Sequence, residues 1–259
     1  MPPADSSARR LFWELHSGLP REGPGSDDST REALRLVGRL PDEPRILDIG
    51  CGPGMQTLVL ARETYGRIIA VDRHQPYLDE LDRRAKRQWL SDRIHTINAS
   101  MMALDLPDET FDLIWSEGAI YVMGFEQGLR AWKRLLKPGG AIAVTEVSWL
   151  GPPIPDDVRR FWTAAYPAMT DTAGNLRTIE MAGYAPLGHF ALPESAWWDD
   201  YYTPIETRIA ELKDKYRDDQ AALEFLGLAR EEIDLQRRGA GSYGYVFYVA
   251  RKTESEARR

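Results

Sequence analysis

A single cysteine, Cys51, is all the thiol chemistry this sequence holds, so no internal disulfide can form. That fits a reducing, cytoplasmic setting and excludes a cysteine-rich zinc site. Histidine is nearly as scarce, and its four copies fall in no HxxxH or HExxH spacing, so no metal site is expected. Long apolar runs are missing too: nothing approaches the roughly eighteen residues that a membrane span needs. The opening MPPADSSARRLFWELH carries an early acidic residue and no apolar core, unlike a secretory signal. No repeat or low-complexity block occurs. Positive charge is in deficit, with 33 Lys and Arg against 40 Asp and Glu. A protein that grips a phosphate backbone needs clustered cations, so no nucleic-acid partner is expected. The densest basic cluster, Arg83, Arg84, Lys86 and Arg87, is interleaved with the apolar positions of a predicted helix and reads as a solvated face.

What is present is enough apolar material, 43% of 259 residues, for one large domain with a sizeable core, or for a core plus a lid. Ser29-Thr30-Arg31-Glu32 has the pattern of a capping box and opens a helix that Pro41 stops. A short apolar strand follows over Arg45 to Ile49, then glycines, then a helix over Met55 to Thr64. Ile68 to Val71 reads as a second strand, and Pro76 opens a helix carrying Leu78, Leu81, Ala85 and Trp89. Ile94 to Asn98 and Phe111 to Trp115 are the third and fourth strands. A helix over Glu126 to Leu136, ended by Lys137-Pro138-Gly139-Gly140, leads to a fifth over Ala141 to Val147. Strands alternating with helices predict a doubly wound α/β fold, whose ligands sit beyond the C-terminal ends of the strands. After Val147 the aromatic content rises, an amphipathic helix carries Ile205, Ile209, Leu212 and Tyr216 on one face, and Tyr243 to Ala250 returns as a strand.

The first strand runs into Asp48-Ile49-Gly50-Cys51-Gly52-Pro53-Gly54. Alternate glycines let the backbone turn tightly and approach a ligand, and the next helix offers unpaired N–H groups. The spacing is GxGxG rather than the GxGxxG of dinucleotide sites, which counts against a nicotinamide-dependent oxidoreductase. Asp72 ends the second strand, where a carboxylate can accept both hydroxyls of a ribose. Asp48 can hold an ammonium group. A ligand with an amine and a nucleoside ribose but no pyrophosphate matches that pair, and S-adenosylmethionine has those features.

LDIGCGPG, Asp72 and LLKPGG together resemble the class I S-adenosylmethionine-dependent methyltransferases, over about Arg45 to Val147. SEGAIY, GFEQGL and YGYVFYVA are similar to a bacterial subgroup acting on small molecules. The resemblance implies a mostly parallel, seven-stranded Rossmann-like sheet with the last strand antiparallel and inserted beside the fifth. It implies that Gly50, Cys51 and Gly52 contact the methionyl part of the cofactor, and that Asp72 holds the ribose with Arg73 beside it. Ala99, Ser100 and Met101 would meet the adenine edge, and Ser116 would lie near the methionyl end. In place of the acidic residue many members have at the adenine position, this chain has Ala99-Ser100.

The fourth strand stops at Ser116-Glu117-Gly118, on the rim where donor and acceptor would meet. Glu117 can act as a base or orient the acceptor, or it can cap the next turn. Tyr121 can hydrogen-bond the acceptor or line the sulfonium pocket, or pack under a lid. His16, His189 and Glu146 are further candidate bases, and Arg21 can pair with an anionic acceptor or with the methionyl carboxylate, though a surface role is its first reading. A single methyltransferase domain is expected, with a core over about 30–194 and 242–252 and lid elements over about 1–29 and 195–241. A small-molecule acceptor, methylated on oxygen or nitrogen in a lidded aromatic cleft, is the first functional reading. An RNA or protein methyltransferase and a non-catalytic S-adenosylmethionine-binding protein are the alternatives. Oligomeric state is open.

Overall fold

The computed structural model describes residues 6–253; the first five residues of the expected N-terminal lid element and the tail after Thr253 lie outside them. Along the chain come α1 (Ser6–His16), α2 (Asp27–Val37), β1 (Arg45–Ile49), α3 (Met55–Glu63), β2 (Arg67–Asp72), α4 (Gln75–Arg87), β3 (Ile94–Asn98) and β4 (Phe111–Ser116). Then follow α5 (Phe125–Trp132), β5 (Leu136–Trp149), α6 (Asp156–Ala165), α7 (Thr172–Met181) and β6 (Tyr184–Ala191). A short α8 (Ser195–Trp197) runs through a π-helical turn, Trp198–Tyr202, into α9 (Thr203–Lys215), and α10 (Gln220–Gly239) and β7 (Tyr243–Lys252) complete the series.

The seven strands form one sheet in the order β3-β2-β1-β4-β5-β7-β6. Every pair from β3 to β5 is parallel, and β7 runs antiparallel to both β5 and β6. The strand order reverses between β1 and β4, so a crevice opens at their C-terminal ends. Apolar residues cover both faces. Ile46, Leu58, Leu81, Leu113 and Trp115 pack on one side, and Leu47, Ile49, Ile114, Leu129 and Trp132 on the other. A third cluster joins Leu15 and Leu19 to Trp197, Ile205, Ile209, Leu226 and Tyr243, tying the N-terminal segment to the helices before β7.

Several boundaries move from the sequence-based expectation. Helix α2 begins three residues earlier: Ser26 is its cap, the Oγ accepting from Ser29 N at 3.1 Å, and Asp27 and Asp28 face the positive end of the dipole. Trp89 lies past the end of α4 with φ +58° and is 91% exposed, so it does not share the buried face of that helix. The sequence LKPGG, expected to break the chain before β5, is itself the start of β5. Strand β6 and helices α1, α6 and α7 went unpredicted. Arg84 is not a solvated charge: its guanidinium donates to the carbonyls of Leu19, Pro20 and Pro53. Among the described residues no helix is long and apolar enough to cross a membrane.

Candidate functional site

The glycine loop lies in the crevice after β1. Gly50 and Cys51 donate to the carbonyl of Val71, which folds the loop against the end of β2. Gly50 has φ +73°, and a Cβ there would stand 2.4 Å from that of Ala119. The Asp72 carboxylate accepts from Gly52 N at 3.0 Å and from His74 N at 2.9 Å, so the acid after β2 and the glycine loop are one unit. Asp48 is fully buried under the loop. Its Oδ2 accepts from Thr57 Oγ1 at 2.6 Å and Gln56 Nε2 at 3.3 Å, and its Oδ1 has no partner. Burial pushes this carboxyl up to about 7 against the pull of those bonds.

The turn after β3 brings its residues to the same crevice. Met101 lies within 3.4 Å of where a Cβ on Gly50 would be, and Trp132 Nε1 donates to its carbonyl. Ser100 is exposed and its Oγ accepts from Met102 N, while Arg73 is exposed beside Asp72. Ser116 is sealed: its Oγ donates to the carbonyl of Ile49 at 2.8 Å and pins β4 to β1 just before the glycines. The sequence had thus singled out a set of residues that the fold brings together around one loop.

Glu117 has a different setting. Its Oε1 accepts from Trp115 Nε1 and Thr30 Oγ1, each at 2.8 Å, and its Oε2 faces Arg21 Nη1 at 3.3 Å. Burial raises its pKa, opposed chiefly by the Arg21 charge. Arg21 corrects the surface reading. It is 4% exposed and also pairs with Asp27 at 3.0 Å and Asp200 at 3.7 Å. Residues 17–26 therefore form a strap across the rim, held by Arg21 from within and by the Arg84 clamp from α4. On this strap Glu22 leans over Gly52 and pairs with His16 at 2.9 Å. Burial pushes Glu22 and Asp72 up as well. His189 sits on β6 and stacks on Tyr248, away from this group of carboxyls.

Beyond β4 the character becomes phenolic. Tyr121 meets Tyr166 edge-on at 6.4 Å, and Tyr201 and Tyr245 lie close enough for Glu232 to act on them and on Tyr121. These rings lie deep in the molecule yet are not sealed, since each keeps intermediate exposure. Trp149, Trp162 and Trp197 instead pack around Tyr243. Glu22, Thr30, Tyr166 and Tyr245 carry no site role of their own in the sequence reading, and Tyr201 enters it only as one of the aromatics expected to line the cleft; the topology assembles them.

Residues 46–140 match the methyltransferase-domain family. With the sheet order and the glycine loop, this match supports a class I S-adenosylmethionine-dependent methyltransferase domain over those residues. Within that class it is similar to the 27-O-demethylrifamycin SV methyltransferase of Amycolatopsis mediterranei (strain S699), at 28% identity over 94% of this chain and 89% of that protein. It is also similar to the malonyl-[acyl-carrier protein] O-methyltransferase of Enterobacter lignolyticus (strain SCF1), at 30% identity over 63% of this chain and 62% of that one. In fold it matches an S-adenosylmethionine-dependent methyltransferase from Geobacter sulfurreducens solved with S-adenosylhomocysteine. There the TM-score is 0.78 at 21% identity, covering 93% of this chain and 97% of that one.

The side chains suit the cofactor of this class. Asp48, Asp72, Glu22 and Glu117 gather around the loop with Arg21 as the guanidinium among them, and Asp48 Oδ1 is left without a donor. A ligand carrying an ammonium and a sulfonium supplies the positive charge that such a group of buried acids lacks.

Proposed function

We propose that this enzyme methylates an oxygen or nitrogen of a small molecule in a cleft closed by two elements, the strap with α1 and the α8–α10 insertion. The division into a core over about 30–194 and 242–252 and lid elements over about 1–29 and 195–241 belongs to this proposal. The observation that carries it is the burial of Arg21, which bonds Glu117 on the rim to Asp27 and Asp200 across the strap. A rim covered in this way admits small acceptors and excludes a polynucleotide. Two relatives act on acceptors of their own by O-methylation, according to their names.

S-adenosylmethionine supplies an activated methyl group on sulfur. The chain's own residues have the remaining tasks: holding, aligning and keeping water out. Asp72 would accept the ribose hydroxyls, with Arg73 at its solvent side. Asp48 Oδ1 would accept from the ammonium group. Gly50, Cys51 and Gly52 would present backbone to the methionyl part near Ser116. Ser100 and Met101 would border the adenine. Glu117, with all three donors already directed at it, serves as the post that seats the strap and thereby orients the acceptor. Tyr121 would face the acceptor. A cavity of about 590 Å³ between α1, α6 and α10, lined by Phe12, Phe161, Phe225, Leu228 and Glu232, would be where an acceptor enters.

The test uses S-adenosylmethionine with a labelled methyl group, purified protein and extract of the source organism, split into small-molecule, RNA and protein fractions. Label in the small-molecule fraction, lost with Asp72→Ala, is expected. Label in RNA or protein would sink the small-acceptor reading.

A further inference from the structure

One buried acid takes no part in the cofactor pocket. Glu146 lies on β5, two residues past the Val144 that pairs with Ser116, and is 2% exposed. Its neighbour Thr145 accepts from Gly118 N at 2.7 Å, which ties this stretch of β5 to the rim turn after β4. Glu146 Oε2 has no hydrogen-bond partner. Among the described residues the one polar group acting on the carboxyl is the Tyr166 hydroxyl, and no cation opposes its burial. The titratable groups that face it are Tyr166 after α6, Tyr121 after β4, and Tyr245 and Tyr248 on β7. A buried carboxyl with a free oxygen and no cation is a liability for the fold, where an aliphatic side chain would pack without cost. Its place is at the edge of the phenolic chamber.

We propose that Glu146 Oε2 receives the proton of a neutral hydroxyl acceptor, which makes the enzyme O-directed. The inference rests on the small-acceptor reading and deepens it. In the step, an acceptor oxygen lone pair forms the bond to the methyl carbon, and the carbon–sulfur pair stays with sulfur as the neutral thioether. The acceptor's O–H pair stays on its oxygen, and the proton passes to Glu146. The products are a methyl ether, S-adenosylhomocysteine and a protonated Glu146, so charge and atoms balance. An amine acceptor fits poorly, because it would arrive as an ammonium ion at a carboxyl that burial keeps largely neutral, with no charge there to receive it. A carboxylate acceptor fits poorly too, with no cation to receive it and Glu232 nearby. Burial lifts Glu146 to about 8, near the pH at which a base is most effective.

Two readouts test this. Infrared difference spectra of the protein with S-adenosylhomocysteine should show a protonated carboxyl band that titrates away near pH 8 and is missing from Glu146→Gln. Absence of that band below about pH 7 in the wild type would overturn the proposal. The second readout classifies the label taken up by the small-molecule fraction of the source organism's extract. Wild type is expected to form an alkali-stable methyl ether. Glu146→Gln should lower the rate by about 10²–10⁴-fold with S-adenosylhomocysteine binding unchanged. Tyr166→Phe, which removes the bond that lowers the Glu146 pKa, should move the alkaline rise in rate to higher pH. Label on nitrogen or as an alkali-labile ester, or a full rate in Glu146→Gln, overturns the role of Glu146 alone. Label in RNA or protein, or no binding of S-adenosylhomocysteine, overturns the underlying reading.

Discussion

Gly50 and Gly118 both have left-handed backbones, yet replacing them asks different things of the fold. At Gly118, φ +62°, an added Cβ meets nothing within 4 Å, so alanine costs only the backbone term of about 1–2 kcal/mol. At Gly50 the same methyl would drive into Ala119, adding about 1–3 kcal/mol of overpacking. Chemical denaturation should therefore find Gly50→Ala clearly less stable than Gly118→Ala, and equal losses would refute the steric account. This part of the site was legible in the sequence, because close approach of backbones requires glycine and glycine spacing is visible in one dimension. Asp48 and Asp72 were legible too, each standing at the C-terminal end of its strand, where the crevice opens. Glu146 could be seen only as an acid near a strand end. Its phenolic surroundings depend on Tyr121, Tyr166 and Tyr245, which come from three separate elements.

The strap is an element whose meaning lies in distant partners. Arg21 meets Glu117, 96 positions away in the chain, and no local pattern announces that pair. Arg21→Met would leave a buried carboxylate without its cation, a change worth up to about 3–5 kcal/mol. Glu117 would then titrate still higher, so the loss should be smaller in acid, where the group is neutral. Adding Glu117→Gln should recover part of the loss, and limited proteolysis within residues 17–26 should quicken in the single variant. An undiminished loss in the double variant would mean that the strap is held by other contacts. Strand β6 escaped prediction for a different reason: YAPLGHFA contains Pro186 and Gly188, which ordinarily argue against a strand. An edge position tolerates both, and the register shift with β7 falls between those two residues.

At the scale of the whole molecule the interior is acidic. Asp48, Asp72, Glu22, Glu117 and Glu146 are all raised, in each case by burial before any other cause. Between the ordinary carboxylate range and the raised value, such a group binds more protons folded than unfolded. Each then lowers the unfolding free energy by about 1.4 kcal/mol per pH unit as pH rises. Stability without cofactor should thus be highest on the acid side and fall until about 7 for Asp48 and about 8 for Glu146. Exposed acids held down by a partner, such as Asp157 beside Arg238, act in the opposite sense but are screened by solvent. A cationic ligand should reverse the trend, because it favours the ionised acids. Affinity for S-adenosylmethionine should rise with pH up to about 7, with protons released on binding. Calorimetry in two buffers of different ionisation heat measures that release, and proton uptake would contradict the assignment of Asp48.

Strand β7 follows β6 in the chain but lies between β5 and β6 in the sheet. During synthesis, therefore, both flanking strands emerge from the ribosome before the piece that joins them. Until it arrives, β5 presents a row of unpaired backbone groups, the kind of edge that recruits strands from other chains. A ribosome paused ahead of Tyr243 would hold the nascent protein in that state, and the insertion helices α9 and α10 are the elements made during the wait. Production of this enzyme at high concentration should accordingly depend on elongation speed and chaperone supply more than the stability of the finished fold would suggest.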